Sequence, residues 1–158
     1  MLTSSIKDIK VGLKNISQEQ LVELCLQLAK YKKENKELLS YLLFQVHDEA
    51  LYIADVKGVI DDEFSTITTK TPFHARKAVR KALRITNKYI KYSKLKPTEV
   101  ELLIYFCKKL RKTRISLQST NAMGALYMRQ VTKIKKTVST MHEDLQFDYE
   151  QDITSLES

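Results

Sequence analysis

An all-α fold, either an irregular antiparallel bundle or a short stack of helix pairs with six to seven helices, follows from three features of the sequence. The 158 residues include only three glycines and two prolines, and β-rich folds need many more of both for their turns. Lys, Glu, Leu and Gln are abundant, and all favour helix. Apolar residues recur at spacings of three and four through most of the chain. With 43% hydrophobic and 29% charged residues, the chain has enough apolar material for a core and too much for intrinsic disorder.

The elements are read in order. Ile6, Ile9 and Leu13 give a short amphipathic helix over residues 4–14. Ser17 and Gln20 form a capping box, with Ile16 and Leu21 placed as a hydrophobic staple. Leu21, Leu24, Cys25 and Leu28 share one face of the next helix. Val22, Leu26 and Ala29 widen that face, so this helix is expected to be well buried. Residues 31–35 read as a tight connection before Leu38, Leu39, Leu42, Leu43 and Val46 resume the period. At His47-Asp48-Glu49 the chain either breaks or runs on. Leu51, Val56, Val59, Ile60, Phe64 and Ile67 then keep helical spacing, with Gly58 costing about 1 kcal/mol relative to Ala.

Residues 66–71 form the clearest internal break, ending in a Thr71 cap and Pro72 at the first helical position. The helix from Pro72 to Ser93 places Ala75, Val79, Ala82, Leu83, Thr86 and Ile90 inward. Thr98 and Glu101 predict a second capping box, opening a helix with Val100, Leu103, Phe106, Cys107 and Leu110 inside. After a loop near residues 113–120, Tyr127, Val131, Ile134, Val138, Met141 and Leu145 trace a heptad stripe. That stripe, on a helix over residues 123–145, offers a route to a homo-oligomer. The reading is therefore one helical domain over residues 1–146 and an acidic, frayed tail over 147–158.

The segment SQEQLVELCLQLAKYKKENKELLSYLL, residues 17–43, resembles the helix–turn–helix unit of HEAT and armadillo repeat proteins. The strings RITNKYIKYS and MHEDLQFDYEQDI are similar to an uncharacterised bacterial family of small helical proteins. The first resemblance implies a stacked helix-pair scaffold with a binding role. The second implies no activity, and neither carries catalytic residues onto this chain.

Charge is the most informative feature. The formal net charge is +8, but residues 70–136 hold nineteen Lys and Arg against two carboxylates, while the rest carries an excess of nine acids. Arg76, Arg80, Arg84 and Lys88 recur every four residues and so lie along one side of a helix. Lys77, Lys81 and Lys91 flank them. Like charges at this spacing repel by about 0.2–0.5 kcal/mol per pair, so an anion nearby would relieve the strain. That anion is a nucleic acid, an acidic partner protein, or the chain's own acidic segments at residues 48–63 and 143–152. Lys and Tyr alternate over residues 87–94. Tyr89 is read as a core residue with its hydroxyl at the rim, while Tyr92 stays open as a platform for an unpaired base. The candidate polyanion surface comprises Arg76, Lys77, Arg80, Lys81, Arg84, Lys88, Lys91 and Tyr92, helped by Lys108, Lys109, Arg111, Lys112 and Arg114.

No phosphate-binding glycine loop, dinucleotide fingerprint or nucleophile elbow occurs. His47-Asp48-Glu49 and His142-Glu143-Asp144 each set a His beside two carboxylates. Consecutive helical residues diverge by about 100°, so neither triplet presents three ligands to one ion. Cys25 and Cys107 sit in apolar runs as small hydrophobes, and His74 reads as an exposed polar residue. The expectation is a non-enzymatic binding or scaffold protein without catalytic residues, metal or cofactor. The alternatives are a structural protein with internally neutralised charge that meets other proteins, and a metal-dependent enzyme. The two cysteines are too few for a disulfide framework, and the first residues lack the apolar run of a signal peptide. A cytoplasmic location is the corresponding expectation.

Overall fold

A computed structural model describes residues 3–67 and 71–158. The described residues are mostly helical, with no strand among them, and none of their helices is long and apolar enough to cross a membrane. Eight α-helices and one π-helical turn replace the expected six or seven helices. They divide into two compact units, residues 1–44 and 45–158.

In the first unit, α1 (Ile6–Lys14) opens on a capping box between Ser5 and Asp8 that the sequence reading passed over. Helix α2 (Gln18–Tyr31) opens on the expected one, Ser17 with Gln20. One extended residue, Lys32, joins α2 to α3 (Lys33–Ser40), so the connection is far shorter than residues 31–35. The Asn35 amide donates back to the Leu28 carbonyl at 2.8 Å. The expectation that α2 is well buried fails: no residue of α1, α2 or α3 is buried, and Cys25 is half-buried. Periodicity records that a helix has an apolar face. It does not record whether another surface large enough to cover that face arrives, and α3 is eight residues long with Leu38 and Leu39 as its only apolar side chains. The α-helical ladder then widens to a π turn over Tyr41–Gln45.

The second unit begins with α4 (Glu49–Ser65), where Asp48 caps the helix by accepting from the Leu51 N–H. The chain therefore breaks at His47. Part of the expected break at 66–71 falls on residues 68–70, outside the described residues. Helix α5 (Pro72–Ser93) starts with Pro72 as expected, but the Thr71 hydroxyl meets His74 Nδ1 instead of capping the backbone. It ends on Lys94, whose left-handed φ of 61° lets its N–H bond Ile90 O.

Helix α6 (Lys96–Arg111) is the central element, packing on α4, α5, α7 and α8. Val100, Leu102, Leu103, Phe106, Cys107 and Leu110 are fully covered, and Phe64 stacks edge-on against Phe106 at 5.4 Å. The capping box predicted at Thr98 and Glu101 does not form. The helix starts three residues earlier, with Leu95 at the cap position; Thr98 is buried with its hydroxyl donating to Glu49 Oε1 at 2.5 Å, and Glu101 pairs with Lys57 at 3.0 Å. A buried hydroxyl needs a strong acceptor, and the α4 carboxylate supplies one.

Helix α7 (Ala122–Val138) starts at the Asn121 cap and ends seven residues before Leu145. Tyr127, Val131, Ile134 and Val138 of the heptad stripe are buried in the unit's own core. Residues 147–158 are no frayed tail. They form most of α8 (Glu143–Glu157), which packs on α6 and α7. Leu156 is buried, the Tyr127 hydroxyl donates to its carbonyl at 2.7 Å, and Arg111 donates to Ser155 O.

Candidate polyanion-binding groove

Helix α5 turns two opposed faces to its surroundings. Ala75, Val79, Ala82, Thr86 and Ile90 are buried against α4 and α6. At about 100° per residue, Arg76, Lys77, Arg80, Lys81, Arg84, Lys88 and Lys91 fall within an arc of roughly 140° on the opposite side. All but Lys88, which is half-buried, are exposed. The same amphipathic pattern that folds the helix thus sets its cations outward.

The exposed face lines an open groove of about 920 Å³, walled by Thr66, Phe73, His74, Arg76, Lys77 and Arg80, with Ala78, Lys81, Arg84 and Ala122 completing it. A smaller cavity of about 260 Å³ shares Arg76 and Ala122 and adds Arg114, Ile115 and Asn121. The loop before α7 therefore brings Arg114 to the cations of α5, a juxtaposition over 38 residues that helical periodicity could not supply.

The molecule's own carboxylates reach some of these cations and not others. Glu63 holds Lys81 at 2.8 Å, Asp152 holds Lys108 at 2.5 Å, and Asp61 holds Lys109 at 2.6 Å. Around Asp61, burial would lift the carboxyl's pKa. Hydrogen bonds from Lys109 and the Tyr105 hydroxyl, together with the charges of Lys109 and Lys112, outweigh burial and hold it below its usual range. The bond to Asp61 in turn raises Lys109. In contrast, Arg76, Lys77, Arg80, Arg84, Lys91, Lys112 and Arg114 have no carboxylate within 4.0 Å among the described residues.

The thirteen candidates are therefore not one surface. Arg76, Lys77, Arg80, Lys81, Arg84 and Arg114 converge on the two adjoining cavities. Lys108, Lys109 and Arg111 are committed to contacts with α4 and α8, while Lys112 lines neither cavity. Lys88 lies over the ring of Tyr89 at 4.5 Å. Tyr92 cannot serve as a stacking platform: it is 8% exposed and sets its ring edge-on to Tyr89 at 5.7 Å. Tyr89 is half-buried, and its carbonyl accepts from the Tyr52 hydroxyl. The aromatic residue that does face the groove is Phe73, 65% exposed, which the sequence reading did not single out. Its signal was legible: it stands four residues before Lys77 and seven before Arg80, at positions that share a helical side.

The other reactive groups lie elsewhere. Cys107 is fully covered, and burial pushes its thiol up to about 12. His47 lies in the turn before α4, and His142 accepts the Asp144 N–H at the start of α8. Among the described residues, no group of three or more His, Cys, Asp or Glu side chains is placed to hold a metal ion. Comparison with protein-family models, curated proteins and solved structures returned no match.

Proposed function

We propose that this protein is a non-enzymatic binding module, an irregular helical scaffold whose α5 groove takes an acidic partner, with nucleic acid the most concrete candidate. The observation that carries the reading is the row of Arg76, Lys77, Arg80 and Arg84 along one groove, with no carboxylate within 4.0 Å of any of the four among the described residues. Several like charges on one helix face weaken the fold slightly, and an external polyanion reverses the sign of that contribution. Binding of this kind is driven by counterion release and falls log-linearly with salt.

The test is a salt titration of a labelled oligonucleotide with the full chain. Binding at low ionic strength should weaken steadily as salt rises. Reversing Arg76, Arg80 and Arg84 to Glu should reduce the steepness of that dependence by about three, one for each lost phosphate contact. The matching reversal of Lys108 and Lys109 breaks pairs with Asp152 and Asp61 and should lower stability first. Equal loss of binding in both variants, or no binding at low salt, removes the reading. A second reading, a structural protein that neutralises its own charge and meets other proteins, draws support from those same α6 pairs. It predicts a co-purifying partner that resists nuclease treatment.

A further inference from the structure

Phe73 occupies the middle of the cationic arc. Counting about 100° per residue from Ala75, it shares its direction with Lys77, Arg80, Arg84 and Lys91. These positions form a single row along the helix axis, about 27 Å long at 1.5 Å per residue, with the aromatic ring at its N-terminal end. The ring is 65% exposed, and the His74 ring lies nearly perpendicular to it, with centroids 5.6 Å apart and planes at 88°. Both rings line the groove. Among the described residues, those lining the groove include no Asn, Gln, Asp or Glu. In the adjoining cavity, Asn121 is already engaged, accepting from the Met123 and Gly124 N–H groups and donating to Ser116.

An aromatic face among cations suits a ligand with both phosphates and free base faces. In a duplex the base faces are stacked away, and only the phosphates would meet this groove. In a single strand both features are available at once. Resting on the polyanion reading above, we infer that the α5 groove is a single-strand nucleic-acid site. Lys77, Arg80 and Arg84 track the phosphates, and one unpaired base stacks on Phe73. With the cations assigned to phosphates and the base held by stacking on its face, the site discriminates weakly among sequences.

The chain has no tryptophan, so Phe73→Trp creates a single fluorescent reporter at the proposed stacking position. With the full chain at low salt, oligo-dT and oligo-U of twelve nucleotides should quench that fluorescence, while a twelve-base-pair duplex and inorganic polyphosphate should not. In anisotropy titrations, Phe73→Ala should weaken single-strand binding by about tenfold and leave duplex binding, the salt dependence and the melting temperature unchanged. Quenching by one of the two single strands alone identifies DNA or RNA as the preferred form and still supports a single-strand site. If the duplex binds as tightly as the single strands, or Phe73→Ala changes nothing, the single-strand assignment is wrong while the polyanion reading survives. If neither single strands nor duplex bind at low salt, the polyanion reading fails with it.

Discussion

Two glycines in regular helix have opposite reasons for being there. Gly124 sits in the first turn of α7, and a Cβ on it would lie 1.9 Å from the Gln118 carbonyl oxygen and 2.6 Å from that of Leu117. Both obstacles are backbone atoms of the loop that Asn121 ties to the helix start, so neither rotates away. Gly124→Ala should cost about 1–3 kcal/mol in denaturant unfolding, as overpacking does. A cost under ~0.5 kcal/mol would mean that the loop yields freely. Gly58, exposed on α4, has nothing within 4 Å of its would-be Cβ, and Gly58→Ala should stabilise by about 0.5–1 kcal/mol through helix propensity. The sequence distinguishes the two poorly, since both are lone glycines in helical pattern. The deciding contact comes from a loop six residues upstream folding back. Thr98 and Tyr92 teach the same lesson. Local pattern proposed a cap and a stacking platform, but the Glu49 carboxylate of α4 claimed the Thr98 hydroxyl, and Tyr92 lies buried at 8% exposure. Where partners lie within one turn, as with Ser17 and Gln20, the local reading held.

At the scale of elements, helices were legible and their partners were not. Start, stop and apolar face of α5 followed from Pro72, the 3–4 spacing and the Lys94–Pro97 segment, and the structure reproduces them within a residue or two. The acidic C-terminal segment was misread because its acidic composition outweighed a short apolar stripe: Tyr149, Ile153 and Leu156, spaced four and three apart, stand among Asp, Glu, Gln, Ser and Thr. What docks α8 is a small set of specific contacts. Leu156 fills the core, Tyr127 binds its carbonyl, and Asp152 and Glu157 meet Lys108 and Lys135. Composition cannot weigh such contacts, because each depends on residues supplied by α6 and α7. Leu156→Ala should therefore cost about 2–4 kcal/mol, whereas Phe147→Ala, at a 77% exposed position of the same helix, should stay within about 0.5 kcal/mol. A frayed segment would show neither loss, so denaturant midpoints of the two variants decide between a docked α8 and a loose one.

For the whole molecule, the sequence disclosed a strongly polarised charge without saying which cations its acids would answer. The pairing is selective. Asp61 and Asp152 fasten α6 to α4 and α8, and most of the α5 row stays open. This division makes the two cationic groups respond differently to pH. The Asp61 carboxyl lies below its usual 3.8 in the folded chain, because hydrogen bonds from Lys109 and Tyr105 overcome the opposing effect of burial. A group with a depressed native pKa contributes stability that is complete above its unfolded value, about 3.9, and is lost as pH falls through the lower native value. Lys109 is raised by its bond to Asp61, while burial and then the bond to Asp61 raise Tyr105. The fastening therefore keeps its charge state through the neutral range and up to about pH 10. Asp61→Asn should accordingly lower stability at neutral pH and flatten its decline below about pH 4. Arg80→Gln, in the unpaired row, should leave that decline parallel to the parent's and slightly raise stability by easing repulsion along α5. Urea unfolding from pH 2 to 8 measures both variants. A Asp61→Asn curve that runs parallel to the parent's through the acid limb would show that the α4–α6 fastening adds nothing to folding, and with it would go the reason for treating α6 cations as internally engaged and α5 cations as free for a partner.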